Sequence, residues 1–88
     1  MQIRFFKPFS ELAGAEEIRL VLENPISVRE LWGRLEREIP PLQRFVKKEG
    51  DEVQSFFAVI VRGDEILKLD DTVRNEDVVK ILPPISGG

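Results

Sequence analysis

The stretch ISVRELWGRLEREI, residues 26–39, decides the fold of this 88-residue sequence. Its apolar residues recur at the spacing of an amphipathic helix. Ser27, followed three residues later by Glu30, forms a capping-box pattern that marks the helix start. Pro40-Pro41 ends the helix, because proline removes a backbone donor and clashes with the preceding turn. The apolar positions of this helix are Val28, Leu31, Leu35 and Ile39.

Strands are predicted on both sides of the helix. Residues 2–6 and 17–22 alternate apolar and polar side chains, which favours an antiparallel hairpin with one apolar face. Residues 56–62 are apolar and β-branched on both faces and give the strongest strand signal. Residues 78–82 form the last strand, which stops at Pro83-Pro84 because proline cannot donate to a sheet ladder.

The elements follow one another in the order β-β-α-β-β. The simplest layered arrangement is an α+β domain over residues 1–82, with one main helix on one face of a mixed sheet. We expect the first and last strands to lie side by side at the centre, and residues 83–88 to form a flexible tail. The remaining predictions are a connecting turn over 7–16, a short second helix over 42–49, a solvated loop over 47–52, an edge strand over 65–69 and a polar turn over 70–77.

The composition excludes several classes of protein. A net charge of −3 argues against a dedicated nucleic-acid binder, which is usually basic. No apolar run approaches the roughly 18 residues that a membrane-spanning helix needs. The charged start of the chain does not resemble a secretory signal. The sequence therefore predicts a cytoplasmic protein with neither nucleic-acid nor membrane partners.

The sequence offers little to an independent active site. It contains no Cys, His or Tyr, so thiolate nucleophiles, imidazole bases and the usual zinc ligands are missing. Its glycines form no phosphate-binding loop. Asp70 and Asp71 are adjacent on an extended chain, which favours a polar turn over an acid–base pair. We expect no metal site and no bound cofactor.

One face of the sheet is expected to stay open for a partner, because a single helix covers only the other. If Phe57, Val59 and Val61 face the core, the alternating residues of that strand face outward. An exposed apolar patch with a polar rim marks a partner surface. The alternative is a strand buried on both sides. The predicted docking residues are Phe6, Phe56, Ala58, Ile60 and Leu82, with Arg4, Arg62 and Lys80 at the rim.

The whole sequence resembles the small subunit of molybdopterin synthase, a member of the ubiquitin-like β-grasp sulfur carriers. The resemblance rests on IRFF at residues 3–6, ELAG at 11–14 and the helix from Val28. It is sharpest in EDVVKILPPISGG, residues 76–88. It implies a β-grasp fold, and it implies that the chain acts through a terminal diglycine.

The resemblance also implies a function and partners. An adenylating enzyme of the ubiquitin-activating type uses ATP to activate the carboxylate of Gly88, which becomes a thiocarboxylate. The tail then enters the large subunit of molybdopterin synthase and donates sulfur to a pterin precursor. This chain would be the sulfur-donating subunit, in a pathway for molybdenum or tungsten cofactor.

The tail composition suits entry into another protein's active site. Pro83-Pro84 favours a stiff start, and Gly87 and Gly88 lack the Cβ that would block a narrow channel. Ile85 and Ser86 complete the segment that a partner would bind. A protein modifier conjugated through Gly88, like the small archaeal modifiers, stays an alternative. So do sulfur delivery to thiamine, tRNA or cysteine, and a terminus without function.

Overall fold

The computed structural model describes residues 1–84 and shows an α+β fold with a mixed sheet. No helix among these residues has the length and apolar character needed to cross a membrane. The predicted tail residues Ile85 to Gly88 lie outside the described residues. The elements are β1 (Gln2–Phe5), α1 (Phe9–Ala13), β2 (Glu17–Arg19), β3 (Ile26–Ser27), α2 (Val28–Glu38), a 3-10 helix (Pro40–Phe45), β4 (Val46–Glu49), β5 (Glu52–Phe56), β6 (Val59–Arg62), β7 (Glu65–Ile66), β8 (Thr72–Val73) and β9 (Val78–Leu82).

The main sheet has the strand order β2-β1-β9-β6-β7. β1 and β9 pair in parallel at its centre, with Ile3 opposite Val79 and Phe5 opposite Ile81. The prediction that the first and last strands are neighbours is therefore confirmed. β2, β6 and β7 extend the sheet by antiparallel pairing. Because β1 and β9 run the same way, the chain leaves the sheet beyond Leu82 beside Phe6, whose backbone N–H donates to Ile81 at 3.0 Å.

Helix α2 begins as predicted. The Ser27 hydroxyl oxygen accepts a hydrogen bond from the Glu30 backbone N–H at 3.0 Å, which satisfies one of the free donors of the first turn. Trp32 is fully buried in the core that α2 shares with the sheet. Its indole stacks on Phe56 at 5.2 Å between ring centroids. The core side chains of α2 are Val28, Leu31, Trp32 and Leu35.

The segment after α2 differs from the prediction. In place of a second α-helix over 42–49, the two prolines begin a 3-10 helix, Pro40–Phe45. The predicted solvated loop over 47–52 is instead part of the hairpin of β4 and β5, a separate two-stranded sheet. Gly50 turns the hairpin with φ of 63°, a left-handed conformation that glycine adopts without strain. The predicted turn over 7–16 likewise contains a short helix, α1.

The predicted strand over residues 56–62 is broken. β5 ends at Phe56, a bend follows at residues 57–58, and β6 begins at Val59. The two strands belong to different sheets. The sequence predicted one continuous strand here, because nothing in its apolar run marks the bend.

A buried ion pair ties the hairpin to α2. Glu36 is only 3% exposed, and its Oε1 contacts Nζ of Lys48 on β4. Arg29 near the start of α2 donates to the backbone carbonyl of Val53 on β5 and pairs with Asp70 at 3.2 Å. Both ends of the helix are thereby attached to the hairpin.

Replacing the cap tests the helix start. We expect Ser27→Ala to lower the free energy of unfolding by about 1 kcal/mol, because the Glu30 N–H loses its acceptor. Urea unfolding followed by fluorescence of Trp32, the single tryptophan, measures this. Ser55→Ala is the matched control, since Ser55 is exposed on β5. Equal stability of the two variants would contradict the capping role.

The Glu36–Lys48 pair predicts an asymmetric result. Lys48→Met leaves a buried carboxylate unpaired and should cost about 3 kcal/mol of unfolding free energy. Glu36→Gln should cost less, because the side chain of Lys48 is 36% exposed and can reach water. Lys47→Met, on the exposed neighbour, should change stability by less than about 0.5 kcal/mol. The same urea unfolding compares all three, and a larger loss for Glu36→Gln would overturn this account.

Candidate functional site

The open face of the main sheet is the candidate docking surface. Val59 lies opposite Leu82, and Val61 lies opposite Lys80, so these four side chains share one face. Arg4 lies opposite Lys80 on the other side of β9 and belongs to the same face. The opposite face carries the fully buried residues of the core. The open face is formed by Arg4, Val59, Val61, Ile66, Val78, Lys80 and Leu82.

The structure corrects the predicted docking residues on the broken strand. Ile60 is fully buried and pairs with Ile81 in the core, so it does not face outward. Phe56 is half-buried against Trp32, and Ala58 is half-buried in the bend. Phe57, expected inside, is 66% exposed. The alternation of side chains is kept, with Phe56 and Ile60 inward and Phe57, Val59 and Val61 outward, so the two faces are the reverse of those predicted.

Two predicted docking residues do lie at the open face. Phe6 is 40% exposed just beyond the end of β1. Leu82 is half-buried at the end of β9, opposite Val59. Val59 and Val61 take the place that the sequence reasoning gave to Ile60. The sequence could not predict which face residue 60 occupies, because a run that is apolar on both faces does not determine its own orientation. The pairing partner of residue 60 determines it.

The tail begins at the edge of this open face. β9 ends at Leu82, and Pro83 follows it in an exposed position, with Pro84 half-buried. Proline ends the ladder because it has no backbone N–H to donate. The roles predicted for Pro83, Pro84 and the residues to Gly88 as a segment that partners bind stay predictions.

The predicted rim cations differ in what they contact. Arg62 donates to Glu65 at 2.8 Å and to Asp77 at 3.0 Å. The pKa of Arg62 is raised above its usual value, first by the hydrogen bond to Glu65 and second by the hydrogen bond to Asp77. Arg62 therefore stays cationic. Arg62 also donates to the carbonyl of Thr72 at 2.7 Å. Arg62 therefore connects β6 with Glu65, Thr72 and Asp77. Lys80, in contrast, is exposed on the open face.

The two carboxylates that the sequence raised as chemical candidates have structural contacts, and so does Lys48. Asp70 pairs with Arg29, and Asp71 accepts a hydrogen bond from the Lys68 N–H at 2.7 Å, as expected of a polar turn. Lys48 pairs with Glu36. Within residues 1–84, no group of three or more His, Cys, Asp or Glu side chains is arranged to hold a metal ion.

Comparison with known proteins identifies relatives over the full length of the chain. The profile of the ThiS family matches residues 3–88. Small archaeal modifier protein 3 of Haloferax volcanii is 29% identical over 91 residues, covering 100% of this chain and 98% of that protein. Sulfur carrier protein TtuB of Thermus thermophilus is 42% identical over 48 residues, covering 54% of this chain and 71% of that protein.

Solved structures share the fold. SAMP1 of Haloferax volcanii superposes with a TM-score of 0.78 at 24% identity, covering 100% of this chain and 98% of that chain. A putative molybdopterin converting factor, subunit 1, of Pyrococcus furiosus gives a TM-score of 0.77 at 22% identity, covering 96% of this chain and 95% of that chain. With the family match reaching from residue 3 to residue 88, the chain belongs to the ThiS family of ubiquitin-like β-grasp sulfur carriers.

Proposed function

We propose that this chain carries sulfur on its own C-terminal carboxylate, at Gly88, as the small subunit of molybdopterin synthase. The observation that carries the proposal is the ThiS family match, which extends through Gly87 and Gly88. The described residues add a scaffold with an open apolar face beside the start of the tail. In this proposal the chemistry takes place in the partners, and the chain supplies the reacting carboxyl group.

Sulfur loading requires two substitutions. A carboxylate is a poor acyl donor because its leaving group is oxide. In the first step a carboxylate oxygen of Gly88 attacks the α-phosphorus of ATP in an adenylating enzyme, and pyrophosphate leaves. In the second step a sulfur nucleophile at the oxidation level of hydrosulfide attacks the acyl carbon, and AMP leaves. The product is a thiocarboxylate, with one oxygen replaced by sulfur.

The tail dimensions suit this sequence of steps. The six residues from Pro83 to Gly88 span about 20 Å when fully extended. A partner can therefore hold the sheet at its surface while the terminal residue reaches an internal site. Any side chain at residue 88 would crowd the carbonyl carbon that is attacked, whereas glycine leaves both faces of it accessible.

Docking is assigned to the open face. Phe6, Val59 and Leu82 lie where the chain leaves the sheet, so a protein that covers them also receives the tail. The two partners proposed for this face are the adenylating enzyme and the large subunit of the synthase. Since both must take the same tail, they bind in turn.

A second candidate function shares the activation step. The full-length relative from Haloferax volcanii is named a modifier protein, which favours conjugation of Gly88 to a lysine of a target protein. In that case the lysine amine attacks the acyl group in place of sulfur, and an isopeptide bond forms. The partial relative named a sulfur carrier favours delivery to a sulfur acceptor, including acceptors in other pathways.

The first measurement is intact mass spectrometry after incubation with the adenylating enzyme of the same source, ATP and a sulfur donor. We expect a mass increase equal to sulfur replacing one oxygen, localised to Gly88, and none in a variant that lacks Gly87 and Gly88. Unchanged unfolding of that variant shows that the domain is intact. An unmodified wild-type mass, with an enzyme that adenylates another carrier, would refute sulfur loading. Adducts on target lysines without thiocarboxylate would favour the modifier.

Phe6→Asp tests the docking face. The substitution places a charge in the apolar part of the face, and it should raise KM for the carrier in the adenylation reaction by about tenfold or more, which corresponds to about 1.4 kcal/mol. Turnover at saturating carrier should change little, because Phe6 is not part of the segment that carries the reacting carboxyl. Val21→Asp is the control, since Val21 is 76% exposed in the loop after β2. Equal KM values for the two variants would remove Phe6 from the interface.

A further inference from the structure

A small cationic notch lies beside the open face, where the β4–β5 hairpin meets the main sheet. It has a volume of about 210 Å³. The notch is fixed by backbone geometry, since Lys47 lies opposite Ser55 in the hairpin and the Phe57 N–H donates to the Phe45 carbonyl at 2.6 Å. Its lining consists of Arg44, Phe45, Val46, Lys47, Ser55, Phe56 and Phe57.

The charge of the notch is opposite to that of the protein. Its charged residues are Arg44 and Lys47, both exposed, and no carboxylate is among the described residues that line it. Neither cation forms an ion pair within residues 1–84, a property that they share with other exposed cations such as Lys68 and Arg74. The notch differs in placing two cations in one lining without a carboxylate. In a chain with a net charge of −3, this is a local site for an anion.

The apolar part of the notch combines a rigid ring with an exposed one. Phe56 is held by stacking on the buried Trp32. Phe57 follows it in the bend, where its backbone N–H donates to the Phe45 carbonyl, and its side chain is 66% exposed. A ligand that satisfies both halves of the notch needs an anionic group next to an apolar group.

The position of the notch connects it with the tail. Phe57 is two residues before Val59, which lies opposite Leu82 at the end of β9. A protein that covers this end of the open face to receive the tail therefore comes into contact with the hairpin. This step rests on the proposed function.

We propose that the notch binds a segment of the tail-receiving partner in which an aspartate or glutamate stands next to a large apolar residue. The carboxylate lies between Arg44 and Lys47, and the apolar side chain packs on Phe57. Carboxylate–guanidinium hydrogen bonds give this contact its direction. A single-stranded nucleic acid would also combine anions with stacking groups, but two cations on an acidic protein do not form the basic stripe that such ligands require.

The test is an NMR titration of the full 88-residue chain. The probe is a capped peptide with two glutamates followed by leucine and phenylalanine. The first control peptide carries glutamines for the glutamates, and the second carries alanines for the two apolar residues. We expect saturable shifts of the amides of residues 44–47 and 55–57 with the probe, and binding weaker by about tenfold with either control.

Charge reversal locates the site. Arg44→Glu with Lys47→Glu should abolish the shifts, while Lys68→Glu with Arg74→Glu, which changes the net charge equally, should leave them intact. Lys68 and Arg74 are exposed and lie outside the notch lining. Absence of shifts at millimolar probe, shifts elsewhere, or equal binding of all three peptides would overturn the proposal.

Two further outcomes separate the hypotheses. If an oligouridine binds the same residues more tightly than the probe, the notch is a nucleic-acid contact, and the peptide proposal fails. The titration requires no thiocarboxylate, so a wild-type chain that binds the probe but never becomes thiocarboxylated would refute the proposed function alone. A chain that is thiocarboxylated but does not bind the probe would refute the notch alone.

Discussion

The parallel pairing of β1 with β9 is the constraint on which the rest of the structure depends. It joins residues 2–5 to residues 78–81, nearly the whole length of the described chain, at the centre of the main sheet. Its inward residues include Ile3, Val79 and Ile81, which are fully buried. Because the two strands are parallel, the chain leaves the sheet at the same end as Phe6. The point at which the chain leaves the sheet is thus fixed by the central ladder and not by local turn chemistry.

The parts of the fold that the sequence predicted well are those with local signals. Ser27 and Glu30 mark the helix start by chemistry that acts over three residues, and the cap is present. The expectation that the first and last strands lie side by side at the centre came with the layered arrangement of the elements, since periodicity carries no information about which strands pair. The terminal residues expected to react lie outside the described residues, so that part of the site stays a prediction.

The parts that the sequence missed depend on non-local contacts. Residues 56–62 are apolar throughout, so their pattern gives neither an orientation nor a place for the bend at residues 57–58. Only the pairing of Ile60 with Ile81 determines that residue 60 faces inward. The sequence did not predict the β4–β5 hairpin for a related reason. Its charged residues resemble a loop, and it is held by contacts to a distant helix, through Lys48 to Glu36 and Val53 to Arg29.

The closeness of the tail to the open face has a consequence for affinity. Two proteins that must both cover Phe6 and Leu82 cannot dock at separate surfaces. A tail of about 20 Å therefore cannot serve both proteins at the same time. The carrier role therefore requires that one partner leave before the next binds, and a very tight complex at either stage would slow transfer. A moderate apolar patch, with aromatic residues at its margin and cations around it, suits such exchange, because charge raises association rates while limited buried area keeps dissociation fast. If the cationic notch binds a partner segment as proposed, it adds a second contact that one partner uses and another omits, and one face can then distinguish successive partners.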